Sequence, residues 1–240
     1  MIPKLKTYNT PDLVASSFAE WLYESVSQHK GIFTIALSGG STPAMIFKLL
    51  AKDYKEKMPW HRMRFFWSDE RCVLPDDDQS NYKMAHSLLL YELNLDASNV
   101  FRVRGENFPA DEALAYAEII EAMVPANGIL PSFDLIMLGL GEDGHTASIF
   151  PGQEKLWKDD NLCVAVQHPQ SGQYRISFSG KLINAAHRVA FIATGEKKSS
   201  IVEAILKQKT EAEKYPASWV APTSKDLYWF LDSEANKLVQ

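Results

Sequence analysis

The chain has 240 residues and a formal net charge of −5, with 46% hydrophobic and 23% charged residues. That length fits one large α/β domain or two small ones, and the acidic balance excludes the electrostatic footprint of a nucleic-acid or anionic-membrane binder. Two cysteines, Cys72 and Cys163, with no Cys-x-x-Cys pair, argue against a disulfide framework or a structural zinc site and suit a reducing compartment. No stretch approaches the ~18 uninterrupted apolar residues of a membrane span, and Met1–Lys6 carries no apolar run of the secretory kind, so the expected location is the cytoplasm.

Residues 4–8 read as a short edge strand. Thr10-Pro11 supplies a capping hydroxyl and a proline at the first helical position. Val14, Phe18, Trp21, Leu22 and Val26 then form the apolar face of a helix ending near Gly31. Ile32–Leu37 is a buried-strand pattern that runs into Ser38-Gly39-Gly40-Ser41-Thr42-Pro43 and a helix to about Ala51, with Pro43 at its first position and Ser41 or Thr42 as cap. A strand, a Gly-Gly turn and a helix start present free N–H groups and a positive dipole end to an anion, and the hydroxyls of Ser38, Ser41 and Thr42 add donors. The turn is neither a Walker loop nor GxGxxG, so a single phosphate fits better than a nucleotide. An ordinary tight βα turn has the same features, and only combination with other segments separates the two.

Arg64–Ser68 is a third strand-like run, ending in Asp69-Glu70-Arg71. Charges at the end of a buried strand lie on the ligand-binding rim of such sheets. Arg71 can fork onto a phosphate or carboxylate, and Asp69 can orient a histidine or a sugar hydroxyl; a local ion pair is the alternative. Pro75–Gln79 lacks metal-ligand spacing and reads as a solvated loop. Ser80-Asn81 starts a helix with Met84, Leu88 and Tyr91 at helical spacing. Val100–Val103 reads as a short strand, residues 109–124 as a helix opened by Pro109, and Pro125–Pro131 as a connection.

The densest chemistry lies in residues 134–151. Asp134–Leu138 has the length and apolar content of a strand buried on both faces. It empties into Gly139, Gly141 and Gly144, among which stand Glu142, Asp143 and His145, followed by Thr146 and Ser148. Open α/β sheets place ligands at such a turn. Beyond Pro151, Leu162–Val166 is strand-like, His168–Gly172 a loop, Tyr174–Phe178 a partly exposed strand and 180–186 a short helix. Arg188–Ala193 is another buried strand, ending in Thr194-Gly195-Glu196-Lys197-Lys198 before a helix carrying Ile201, Ala204 and Ile205. A lysine at a helix start opposes the dipole, which is relieved if an anion sits beside it. Tyr215–Val220 and Asp226–Leu231 read as the last strands, and 233–239 as a closing helix. Strands and helices alternate with short connections, which predicts one α/β domain over 1–240 with a predominantly parallel central sheet and helices on both faces, Rossmann-like in build.

The combination of Ser38–Pro43, Phe66–Arg71 with Ser80-Asn81, Gly144–Pro151, Arg175, the Gly195–Lys198 turn and Tyr215–Ser218 resembles the 6-phosphogluconolactonase family over nearly the whole chain. That family shares a fold group with glucosamine-6-phosphate deaminase and ribose-5-phosphate isomerase. The resemblance implies hydrolysis of 6-phospho-D-glucono-1,5-lactone without metal or organic cofactor, on the oxidative pentose phosphate route. A lactone is an activated ester. His145 as neutral imidazole can take a proton from water and return it to the leaving ring oxygen. No GxSxG elbow suggests an acyl-enzyme. The resemblance puts Asp69 at the catalytic centre with Asp143 in support. The phosphate grip is expected from Ser38, Gly39, Gly40, Ser41, Thr42, Arg71 and Lys198, with Arg175 added. Two rival readings are an amino-sugar-phosphate isomerase/deaminase, whose turn carries a carboxylate after the histidine that is missing before Pro151, and a sugar-phosphate sensor, which needs a basic DNA-binding segment not evident here. The sequence is silent on oligomeric state.

Overall fold

The structure, a computed structural model of the chain, describes residues 2–93 and 95–239. In its first half β1 (Lys4–Tyr8), α1 (Pro11–Gln28), β2 (Phe33–Leu37), α2 (Ser41–Asp53), β3 (Met63–Trp67) and β4 (Asp69–Arg71) lead to α3 (Asn81–Ala85), α4 (Tyr91–Leu93) and α5 (Pro109–Met123). There follow β5 (Ala126–Asn127), β6 (Leu130–Pro131), β7 (Leu135–Leu138), α6 (Glu154–Trp157), β8 (Cys163–Gln167), β9 (Tyr174–Phe178), α7 (Gly180–Ala185), β10 (Val189–Ala193), α8 (Ser199–Leu206) and β11 (Leu227–Asp232).

Six parallel strands run in the order β1-β11-β10-β7-β2-β3. Steps from β1 to β2 to β3 go one way along the sheet, and steps from β3 through β7 and β10 to β11 go back. Right-handed crossovers therefore put α1 and α2 on one face and α5, α7 and α8 on the other. The direction reverses between the neighbours β2 and β7, so the ends of these two strands form the switch point where such sheets bind ligands. Every residue of β2, β7 and β10 is buried, which is why each reads as an uninterrupted apolar run. Val14, Phe18, Leu22 and Val26 of α1 are all within 2% of full burial, and burying each such side chain stabilises the fold by roughly 1.5–3 kcal/mol.

A second, antiparallel sheet of three strands, β4-β9-β8, packs against α5. The sequence showed Asp69-Glu70-Arg71 only as a strand end. It is a strand because Glu70 and Arg71 pair with Ile176 and Arg175.

Five other expectations change. The cap of α2 is Gly40, at φ 112, so Pro43 sits at the third helical position and neither Ser41 nor Thr42 caps. A left-handed cap is cheap for glycine, which shifts the helix start two residues back. The helix from Asn81 passes through a π-helical turn at His86–Leu90, and the extra residue rotates its buried face onto Ala85, Leu89 and Leu90 while Tyr91 is exposed. Val100–Val103 contributes a single bridge, Val100 to Phe65, and no strand. Tyr215–Val220 forms a 3-10 turn over Pro216–Trp219, closed by the Ser218 hydroxyl donating to the carbonyls of Ala212 and Tyr215. Described residues beyond Asp232 form turns, not a helix.

Candidate active site

A cleft of about 260 Å³ lies over the C-terminal ends of β2 and β7. The turn after β2 supplies Ser38, Gly39 and Gly40, and the turn after β7 supplies Gly139–Glu142 and His145. The antiparallel sheet adds Asp69, Arg71 and Arg175, α3 adds Asn81, and the turn after β10 adds Lys198. Eight of the residues expected from sequence thus meet in one place: Ser38, Gly39, Gly40, Asp69, Arg71, His145, Arg175 and Lys198. Ser41 points to solvent and Thr42 is buried with its hydroxyl on Thr194, so neither lines the cleft. Asp143 stands behind the imidazole.

His145 is fixed from two sides. Asp143 Oδ1 meets Nδ1 at 2.6 Å and also accepts the His145 backbone N–H at 3.1 Å. The ring packs on Phe150 at 4.6 Å between centroids. A Cβ at residue 141 would overlap the imidazole, so only glycine there lets the ring lie against the turn. Nε2 has no hydrogen-bond partner among the described residues, and His145 lines the cleft. Burial alone would raise the Asp143 carboxyl, but the hydrogen bond and charge of His145, helped by backbone donors, outweigh it and bring the group down to about 2. Asp143, not Asp69, is therefore the carboxylate that holds the ring. Asp69 accepts from the Ser148 hydroxyl at 2.7 Å, and its backbone carbonyl accepts from Asn81 Nδ2 at 2.9 Å.

Arg71 and Arg175 face each other as a register pair of β4 and β9. Like charges directly across a ladder repel, and the Nε–H of each is buried without a partner. Burial lowers the Arg175 guanidinium and Arg71 lowers it further, while Asp69 works the other way. Two guanidiniums left in this state fit an anion between them. Lys198 is half-buried, and that burial pulls its ammonium down against the opposing pull of Glu142 and Asp143. Glu142 itself lies 3.6 Å from Lys197.

Glu70 organises the wall. It is 2% exposed and accepts the backbone N–H groups of Arg71, Asn81 and Tyr82 and the Ser80 hydroxyl, which seats Asn81 at the cleft. Burial raises this carboxyl against the pull of those donors. Asn81, Glu142 and Ser148 were not among the expected site residues. Asn81 and Ser148 had a signal only in their place within the Ser-Asn and Gly-His segments. Among the described residues no group of three or more His, Cys, Asp or Glu is assembled that could hold a metal.

Fold and cleft together define an α/β enzyme of the switch-point type. Residues 9–229 match the family model of glucosamine-6-phosphate isomerases/6-phosphogluconolactonase. The 6-phosphogluconolactonase of Treponema pallidum is 46% identical over 190 residues, 79% of each chain. Among solved structures, a crystal structure described as devB protein superposes with a TM-score of 0.94 at 43% identity over 100% of both chains. The 6-phosphogluconolactonase of Trypanosoma brucei gives 0.87 at 28% identity over 99% of both. The chain belongs to the glucosamine-6-phosphate isomerase/6-phosphogluconolactonase family and, within it, to the 6-phosphogluconolactonases.

Proposed function

We propose that this protein hydrolyses 6-phospho-D-glucono-1,5-lactone to 6-phospho-D-gluconate, the lactone-opening step of the oxidative pentose phosphate route. The observation that carries this reading is an imidazole held at Nδ1 by Asp143 that lines one cleft together with Arg71, Arg175 and Lys198. With Nδ1–H donated to the carboxylate, Nε2 is the basic nitrogen. It takes a proton from water as the oxygen bonds to the lactone carbonyl carbon. The tetrahedral centre then expels the ring oxygen, and the imidazolium returns the proton to it. The products are one hydroxyl and one carboxylic acid, which gives its proton to solvent and becomes the carboxylate, and no group remains on the enzyme.

The phosphate has its own grip. Gly39 and Gly40 at the start of α2, with Lys198, Arg71 and Arg175, supply N–H donors and positive charge at a distance from the reacting carbonyl. Binding energy from that non-reacting group holds the carbonyl against the water. Ser38 lines the same turn. Asp69, pinned by Ser148, is placed to accept from the sugar or the water. The residues surround one continuous hydrophobic core, which supports treating them as one domain. No described helix is long and apolar enough to cross a membrane, and two free cysteines suit the cytoplasm.

The test is the rate of lactone opening by purified protein, corrected for spontaneous hydrolysis. The expected result is saturable acceleration with the 6-phosphorylated lactone. Ammonia released from glucosamine 6-phosphate would point to a deaminase instead. Binding of 6-phosphogluconate with no rate above background would point to a sensor.

A further inference from the structure

The two turns that carry the phosphate grip are not neighbours. One follows β2 and the other follows β10, and β7 lies between those strands. Two strand spacings put their ends about 10 Å apart. Yet Thr42 Oγ1 and Thr194 Oγ1 lie 2.7 Å from each other, across the end of β7. Thr42 is 5% exposed, and each hydroxyl takes the other as its partner.

The far turn is stiff. Both oxygens of Asp232, a carboxylate 2% exposed, accept the Gly195 N–H at 3.0 and 3.1 Å, and Oδ1 also accepts from Ala235 N–H at 2.8 Å. The Lys198 N–H then donates to the Gly195 carbonyl at 3.1 Å. The chain from Thr194 to Lys198 is thus a short turn closed by its own backbone bond, with Thr194 at its start and Lys198 at its end. At the other end Thr42 is the second residue of α2, next to the helix start that faces the cleft.

We propose that the Thr42–Thr194 hydroxyl pair is a positioning clasp that sets the spacing between the Gly39-Gly40 helix start and Lys198, and so sets affinity for the phosphate of the substrate. This rests on the phosphate-grip reading above. Thr42 and Thr194 do not line the cleft; they act through residues that do. Without one hydroxyl the other loses its partner, and the direct link between the two halves of the grip is lost.

Thr42→Val and Thr194→Val keep shape and remove the bond. Each is expected to raise KM for the phosphorylated lactone about tenfold while kcat stays within about twofold, the split that marks lost uniform binding. Preference for the phosphorylated over the unphosphorylated lactone falls by the same factor. The double valine variant is no worse than the worse single one, because both singles break one bond. Thr194→Ser restores KM. If valine prevents folding, Thr194→Ala carries the same comparison. Unchanged KM in the valine variants, additive losses, or equal losses on both lactones overturn the clasp. If the wild-type protein does not turn over the phosphorylated lactone, the functional reading fails separately. Calorimetric affinity for 6-phosphogluconate then decides the clasp: weaker binding in Thr194→Val supports it, and equal binding overturns it.

Discussion

Two Asp–His pairs sit at opposite ends of the parallel sheet. At the N-terminal end of the strands, His29 Nδ1 lies 3.5 Å from Asp134 Oδ1, and its Nε2 meets the Ile32 carbonyl at 3.1 Å. The other oxygen of Asp134 accepts from Thr34 N–H at 2.8 Å and from the Thr34 hydroxyl at 2.9 Å. Both ring nitrogens are occupied, and the pair ties β2 to β7. At the C-terminal end Asp143 takes Nδ1 of His145 at 2.6 Å and Nε2 stays unengaged among the described residues. A carboxylate partner is thus common to both histidines. What separates them is a free Nε2 and a cleft that the imidazole shares with Arg71, Arg175 and Lys198.

The same substitution at the two ends breaks this comparison if it is wrong. Asp143→Asn replaces the carboxylate that keeps the proton on Nδ1 with an uncharged amide able to donate to that nitrogen, and kcat for lactone opening is expected to fall about 10²-fold. Asp134→Asn is expected to leave kcat within about twofold. It brings an amide against the Thr34 N–H and lowers stability by about 1–3 kcal/mol, measured by urea unfolding. Equal catalytic losses in both would show that the two pairs do the same work.

Next in size are the cations of the cleft. Arg71→Ala and Lys198→Ala are each expected to raise KM about tenfold or more and to lower kcat less, since a charge-assisted hydrogen bond is worth about 1.5–3 kcal/mol. An unchanged KM in both variants removes these residues from the phosphate grip.

The smallest effect is on acid stability. The Asp143 carboxyl is held at about 2 in the folded protein, against about 3.9 for an ordinary aspartate. A depressed acid lends stability that is complete above the unfolded value and is lost as pH falls through the folded one. The Asp143 contribution therefore survives from neutral pH down to about 4 and fades between about 4 and 2. The carboxyl ¹³C resonance of Asp143 should titrate near the lower figure; a midpoint near the ordinary value would mean the bond to His145 is not made.

Much of this arrangement was legible in the sequence, for physical reasons that differ by region. The strands β2, β7 and β10 are buried on both faces, so each stands out as an apolar run feeding a glycine turn. The antiparallel sheet was not legible as a sheet. Its β4 is three charged residues whose strand conformation comes from pairing with a segment about a hundred positions away. Tyr215–Val220 has strand-forming residues, but Pro216 and the Ser218 hydroxyl close it into a turn. At the site, the histidine, the glycines, Arg71 and Lys198 stood in local motifs, while Arg175 came only with the family resemblance. Of the two carboxylates expected at the centre, Asp143 takes the imidazole, while Asp69 lines the cleft and accepts from Ser148, 79 positions away. Asn81 was missed for a similar reason: its place at the cleft is set by Glu70 and Asp69, which the helix signal around it does not reveal.

The most direct test of the account is the rate of 6-phosphogluconolactone opening by His145→Ala beside His29→Ala, each corrected for spontaneous hydrolysis and each checked for fold by circular dichroism. The account predicts a loss of at least about 10²-fold for His145→Ala and a rate within about twofold of wild type for His29→Ala. A folded His145→Ala that retained wild-type turnover would contradict it.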